Sequence, residues 1–393
     1  MRLLLLNANR VGKGTYHRAL GFGRELARRG HNATMMTVSN DERLRPRERL
    51  DASGLRIVEC PCLLDELLPW HASGPLDIGL RLREIVFGRY DAVYAFEYQP
   101  NVSAPVFLTR FWKRFTLLSD WCDWHAGASY RFGGRRWAHR IDRVFEEFIR
   151  HRADHLTVIC ETLRQRALSL GIPSERISLI REGVDPDYIR PLDRNAARSR
   201  LGIPLDAAVI GTISDAPEAF QLLFEAVGLL AQEFPQIRLL VVGQAPLAPQ
   251  RLRGAPAGLE RLVLPGRVAD EDLPWYLACA DVLALPLEDT LTNRGRWPHK
   301  LGDMAAAARP VVTSPGGEFP AWLGTRHAAA VVPFTTDAFA AAIGRLLRAH
   351  GEAAHLAERA RDVVTQELSW SRIGAQVADM VEDSVAARSR ARA

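Results

Sequence analysis

The feature that most constrains this chain is a recurring run of apolar residues that does not alternate with polar ones. Such runs occupy 2–7, 33–38, 55–60, 92–96, 115–118, 155–160 and 177–180, then 208–213, 237–243, 262–264, 281–285 and 311–313. A strand apolar on both sides must be covered on both faces, which is the condition of an inner strand of a parallel sheet. Helix-length stretches fall between the runs, at 15–29, 78–87, 135–152, 163–170, 218–234, 298–309, 339–348 and 352–367. Strand–helix alternation gives right-handed crossovers and an α/β class. Residues 42–50 are charged and read as a solvated loop or helix. A chain of 393 residues exceeds one ordinary core, and 47% hydrophobic content can fill two.

Composition excludes several classes. The net charge of +5 is small and the arginines are scattered, which argues against nucleic acid as a partner and leaves contact with an anionic membrane open. Leu3 to Leu6 is a strand-sized block without a signal-peptide tail, and no run reaches membrane-spanning length. Cys60, Cys62, Cys122, Cys160 and Cys279 are odd in number and dispersed, as expected of reduced thiols in a cytoplasmic protein. Cys60-Pro-Cys62 has the wrong spacing for a zinc knuckle, so no metal site and no cofactor are expected.

Three stretches carry chemistry. Between the runs 281–285 and 311–313 lie Arg294, Arg296 and Lys300, ahead of an alanine-rich helix opened by Pro298. Cations at a helix N-terminus over the carboxyl end of a parallel strand suit a phosphorylated ligand. Lys300 and Asp303 share a helix face, a lysine for phosphate and a carboxylate for ribose hydroxyls. A solvated basic loop is the alternative. Second, Gly12 and Gly14 lie in the loop after the first strand, with Thr15 as helix cap. Tyr16 and His17 stand where the helix dipole would meet an anion, unless His17 is simply a surface histidine. The dinucleotide fingerprint is incomplete, since its third glycine is missing. Third, Ser119-Asp-Trp-Cys-Asp-Trp-His-Ala-Gly127 gathers Asp120, Asp123 and His125 beside tryptophans, as a sugar site requires; a strand-end turn with capping aspartates is the alternative. Gly316 and Gly317 permit close backbone approach, and Glu318 could bind a sugar hydroxyl.

Pro298-x-Lys300-x-x-Asp303, the alanine run and Arg-Pro-Val-Val resemble the donor segment of family-four glycosyltransferases of the GT-B fold, and Asn293-Arg-x-Arg-Trp-Pro-x-Lys300 resembles one branch of it. The family usually carries Glu at the position of Asp303 and often another Glu at that of Gly295. Arg181-Glu-Gly-Val-Asp185 resembles its interdomain turn, and Gly266-Arg-Val268 the loop that meets the base. The resemblance implies two facing Rossmann-like domains: 1–185 on the acceptor side, a linker at 186–204, a nucleotide-sugar domain at 205–368, and a helix at 369–393 returning to the first domain. It implies retaining transfer without a metal, from a nucleotide-diphosphate sugar to a small-molecule, glycan or lipid-linked acceptor. Asp120, Asp123 and His125 would serve the reacting centre, while the glycine loop would close over phosphates and acceptor. Asn293, Arg294, Arg296, Lys300, Asp303, Gly266, Val268, Gly317 and Glu318 would hold the donor. Thr212 and Glu218 stand near positions where the family places phosphate-binding Arg and Lys. Either the three cations suffice, or the chain is an inactive nucleotide-binding or scaffold relative; a sugar-nucleotide 2-epimerase of the same fold is the other alternative.

Overall fold

The computed structural model describes residues 1–41, 44–63, 73–125, 136–213, 216–244 and 258–390, with the side chains of 136–142 left out. Ala126 and Gly127 of the tryptophan-rich segment lie outside these, as does Glu42. The chain divides into two compact units, Met1–Gly183 with Trp370–Ala393, and Val184–Ser369.

The first unit is built on eight strands: β1 Arg2–Arg10, β2 Asn32–Val38, β3 Arg47–Leu50, β4 Arg56–Cys60, β5 Ala92–Phe96, β6 Thr116–Trp121, β7 His155–Val158 and β8 Ile177–Leu179. Their order is β3-β4-β2-β1-β5-β6-β7-β8. Pairing is parallel except for β3 on β4. The expectation of a loop or helix at 42–50 is corrected here. Arg-Glu-Arg-Leu forms a charged edge strand, with Arg49 facing Glu59 and Glu48 pairing with Arg56. Charge on an edge strand discourages further pairing, which is why it lacks an apolar signature. Leu4, Leu5, Leu6, Val93 and Leu117 are fully buried, each worth about 1.5–3 kcal/mol of apolar burial.

The last helix, Trp370–Arg390, belongs to this unit. The Trp370 ring lies over Gly21 and Gly183, where an added Cβ would sit 2.5 and 2.3 Å from it. The ring also meets Phe22 edge-on, at 6.1 Å between centroids. Only glycine leaves room for that indole.

The second unit has β9 Val209–Ile213, β10 Arg238–Val242, β11 Leu262–Gly266, β12 Val282–Leu285, β13 Val311–Thr313 and β14 Ala330–Val331, all parallel. The order is β11-β10-β9-β12-β13-β14. Helices Pro217–Leu230 and Thr336–Arg348 cover one face, packing Phe220, Leu223, Phe339 and Ile343 onto Ile210, Val241 and Val282. Residues 186–204, expected as a linker, carry the helix Arg194–Leu201, capped by Asp193. Arg198 fastens that helix through Asp281, 2.6 Å away, and the Cys279 carbonyl. The stretch is therefore part of the second unit.

In each sheet the strand order reverses beside the central strand, between β1 and β5 and between β9 and β12. In open α/β sheets such a reversal leaves a crevice beyond the carboxyl ends.

Candidate functional site

At the first reversal the chain leaving β1 is held by buried side chains. The Thr15 hydroxyl donates to Asn7 Oδ1 at 2.7 Å and accepts from Asn9 Nδ2 at 2.8 Å, while Asn7 Nδ2 reaches Thr37. Thr15 was expected to cap the following helix; its hydroxyl is used in this network instead, and no side chain caps Tyr16–Arg28. Gly12 and Gly14 have φ of +72° and +53°, conformations that favour glycine. His17, half-buried, sits edge-on to Tyr16.

One residue later, Arg18 is almost fully buried and forms a two-pronged pair with Asp120, both N–O distances being 2.9 Å. Its other donors satisfy the carbonyls of Ile180 and Arg181. The Asp120 carboxylate also accepts from Thr157. Burial alone would lower the Arg18 pKa, but Asp120 and Glu182 raise it above its ordinary value. Asp120 therefore faces the interior, tying β6 to the first helix; the expectation that it meets substrate is corrected on that ground.

The residue that sequence reasoning passed over is Glu97, immediately after β5. Its φ is +74°, a left-handed conformation costing a non-glycine residue about 1–2 kcal/mol. The strained backbone accompanies a buried carboxylate that meets His125 Nε2 at 3.2 Å and accepts from the Cys122 thiol at 3.3 Å. The His125 backbone N–H and the Trp121 indole both donate to Glu146. Burial pushes the Glu97 pKa up, but His125, Arg150 and Cys122 outweigh it and bring it to about 2. Burial and the carboxylates of Glu97, Asp123 and Asp120 push the Cys122 thiol well up. The expectation of no metal-ligand cluster also needs correction, since ligand atoms of Glu97, Cys122 and Asp123 lie within 4.8 Å of one another. As arranged, the thiol keeps its proton and donates it to Glu97, a poor starting state for metal binding. The Glu97 carboxylate thus holds the His125 ring through Nε2, the arrangement of an oriented imidazole. The available signal was an ionisable residue directly at a strand's carboxyl end.

In the second unit, β12 leads to a short helix, Leu291–Arg294, and then to His299–Ala306. Pro298 is the residue before that second helix, one position earlier than expected. Arg294 is exposed and pairs with Asp289 through two bonds of 2.6 and 2.5 Å; the sequence reading had credited it to phosphate alone. Asn293 donates to the Glu288 carbonyl and so closes the same turn. Arg296 is half-buried, and its Nε is buried without an acceptor. Lys300 lies in the first turn, half-buried, with Asp303 buried one turn on. His299 Nε2 stands 3.4 Å from Asp303, a pair that the sequence reading did not single out.

Gly316 and Gly317 do admit close backbone approach, but the neighbour is the protein itself. A Cβ at Gly316 would lie 2.3 Å from the Leu287 oxygen, and one at Gly317 2.4 Å from the Asn293 oxygen. They press the loop after β13 onto the loop after β12 and set Glu318 at the start of the helix Glu318–Thr325. Gly266 ends β11 with φ +76°, and Val268 follows half-buried. Thr212 is buried with its hydroxyl unbonded, and Glu218 is exposed in a helix first turn. Neither supplies positive charge.

Residues 13–183 match the family described as glycosyl transferase 4-like domain, and residues 205–349 the family glycosyl transferases group 1. The chain is 28% identical over 246 residues to a GDP-mannose-dependent alpha-(1-6)-phosphatidylinositol monomannoside mannosyltransferase of Mycolicibacterium smegmatis, covering 60% of this chain and 64% of that protein. It is 28% identical over 243 residues to a D-inositol 3-phosphate glycosyltransferase of Streptomyces bingchenggensis, covering 55% and 49%. The chain thus spans between about half and two thirds of these curated relatives. Among solved structures, sucrose-phosphate synthase from Thermosynechococcus elongatus superposes with a TM-score of 0.75 at 19% identity, covering 98% of this chain and 99% of that one. Anabaena HepE in complex with UDP-glucose gives 0.72 at 18%, covering 98% and 100%. At these identities the structural likeness speaks for the fold. With one family match on each unit and two reversed-order parallel sheets of this type, the chain belongs to the family-four-like glycosyltransferases of the GT-B fold.

Proposed function

We propose that the protein transfers a sugar from a nucleotide-diphosphate donor to an acceptor hydroxyl, with retention of configuration and without a metal. The observation that carries this reading is the Glu97–His125 pair, a buried carboxylate on strained backbone orienting an imidazole at the carboxyl edge of a sheet. Proton handling falls to the first unit and donor binding to the second. The acceptor hydroxyl gives its proton to the His125 imidazole. Its oxygen bonds to the anomeric carbon on the same face that the diphosphate vacates, as retention in one step requires, and the diphosphate departs with the electron pair of the broken bond. Lys300, Arg296, an Arg294 released from its exposed pair, and the helix N-terminus stabilise the charge that grows on the leaving group. Asp303 and Glu318 take hydroxyls of the nucleotide and sugar, and Gly266 and Val268 meet the base.

The two curated relatives reported are named as transferases, which favours transfer over 2-epimerisation. Their names put GDP-mannose in the donor panel and inositol 3-phosphate and phosphatidylinositol monomannoside in the acceptor panel; UDP-glucose joins the donors from HepE. The test is product analysis by NMR with each donor, with and without acceptor, and with EDTA. Transfer that retains the anomer and survives chelator is expected. A 2-epimer formed without acceptor would establish the epimerase, loss of activity in EDTA would end the metal-free reading, and failure to bind any nucleotide would leave a scaffold relative.

A further inference from the structure

We propose that the second unit holds a further binding site, for the phosphate group of a small molecule, in a cavity at the amino edge of its sheet. The cavity has a volume of about 640 Å³, inside the range of about 300–1,000 Å³ usual for small-molecule pockets. Asp281 and Pro310, the residues just before β12 and β13, line it, and one face of the helix His350–Leu368 closes its side. The site is separate from the donor segment. Lys300 lies in the first turn of the helix His299–Ala306, and the chain reaches the cavity only past the other end, at Ala308 and Arg309. Eight residues at about 1.5 Å each put roughly 12 Å between the two ends.

Charge decides the ligand. Arg194, Arg309 and Arg361 line the cavity, the last two half-buried. Arg309 donates to the carbonyls of Ala278 and Leu192, and Arg361 to those of Ile189, Ala306 and Pro186. Carbonyl oxygens satisfy these donors without cancelling their charge, and among the described residues neither guanidinium forms an ion pair. Arg194 shares Asp281 with Arg198, at 2.5 and 2.6 Å, and the same carboxylate accepts from the Val209 N–H. One carboxylate thus serves two arginines, and positive charge is left over. Burial lowers the Arg309 pKa, and Arg194 and Arg198 lower it further against the pull of Asp281. Arg361 is also lowered, because its burial outweighs Asp187 and Asp362. At Arg18 and Arg56, by contrast, carboxylates overcome burial and raise it.

The backbone is bent to bring one of these groups in. Ala308 has a φ of +53°, a left-handed conformation unfavourable to a residue with a Cβ, and the turn it makes delivers Arg309. Guanidinium groups that converge without a carboxylate of their own match the oxygens of a phosphate dianion. The remaining carboxylates that line the cavity, Glu358 and Asp362, are exposed at its rim, where they can accept hydroxyl groups of a phosphate ester.

The test is isothermal calorimetry of the full chain with ribose 5-phosphate, inorganic phosphate and ribose. Binding of ribose 5-phosphate and none of ribose is expected. Inorganic phosphate binding equally well would assign the site to the free ion, and binding more weakly would assign it to an ester; either supports the proposal. Ala354→Glu puts a carboxylate on the cavity wall at an exposed helix position and should weaken phosphate binding at least tenfold. Arg309→Gln should do the same. Arg309 also holds two carbonyls, so circular dichroism checks its fold, and Ala354→Glu decides the matter if that variant does not fold. The titrations are repeated in Lys300→Ala protein, where binding should persist. Failure of both phosphates to bind, equal affinity for ribose and ribose 5-phosphate, or binding undiminished by Ala354→Glu would overturn the proposal. So would binding that disappears with Lys300 and survives Ala354→Glu, which would assign it to the donor segment. None of these readouts depends on sugar transfer, so the outcome is independent of the catalytic reading.

Discussion

Glu97→Gln tests the proton-handling arrangement most directly, since it keeps the shape of the side chain and the φ of +74° while removing the charge. Two unit charges 3.2 Å apart would attract by about 5 kcal/mol at an effective dielectric of 20. Exposure of 21% of the His125 side chain screens part of that. The fall of the Glu97 pKa from 4.5 to about 2 is already net of burial and corresponds to about 3 kcal/mol, shared among His125, Arg150 and Cys122. The smaller figure governs. Because coupling is reciprocal, neutralising Glu97 should lower the proton affinity of His125. The acid limb of the kcat/KM profile should shift the same way, and its plateau should fall about 10²–10⁴-fold if His125 is the base. Since Glu97 is depressed in the folded state, its contribution to stability is fully present above about 4.5 and disappears as pH falls through about 2. Urea midpoints of wild type and variant should therefore differ near neutrality and converge on acidification. The assay is a histidine proton titration by NMR alongside the pH–rate profile. A His125 titration unchanged in the variant would refute the reasoning, whatever the rate does.

Lys300→Ala should weaken binding of a nucleoside diphosphate about ten- to a hundred-fold, the worth of a charge-assisted bond, and leave the free nucleoside unchanged in calorimetry. Equal diphosphate affinity would remove Lys300 from the site. Arg18→Ala leaves a buried Asp120 carboxylate uncompensated, so denaturant melts should show roughly 3–5 kcal/mol lost; a loss below about 1 kcal/mol, the range of an exposed pair, would contradict the buried pairing. Gly183→Ala drives a methyl into the Trp370 ring, and a cost of about 1–3 kcal/mol is expected. Trp370→Ala should remove most of that penalty in the double variant, and purely additive losses would show that the ring is not the obstacle.

The inner strands were legible because burial on both faces leaves unbroken apolar runs, as in Leu3–Leu6 and Val311–Val312. β3 was not, since an edge strand guarded by Arg47, Glu48 and Arg49 reads as solvated. Ala330–Val331 is too short to leave a periodic signal. The stretch proposed to hold the donor stood out because Pro298, Lys300 and Asp303 lie close together in sequence, the last two on one helix that Pro298 precedes. Glu97 was not, because its importance comes from His125 and Cys122, brought to it by the adjacent strand. The same holds for Asp120. Sequence shows a carboxylate beside tryptophans, and only folding shows that Arg18 has claimed it.

The position of Trp370 has a consequence for how the protein is made. The chain leaves the first unit at Gly183, builds the whole second unit, and returns at Trp370 to finish the first. The two crossings are neighbours, for the Val184 N–H donates to the Leu368 carbonyl at 2.7 Å and Val184 pairs with Ser369 in a single bridge. As the chain emerges from the ribosome, the first unit must wait with Gly21, Phe22 and Gly183 uncovered until the helix that seals them has been synthesised. The second unit, contiguous in sequence, can close first. The order of synthesis and the order of completion are thus reversed, and the nascent first unit is the stage at which this protein most needs protection from aggregation.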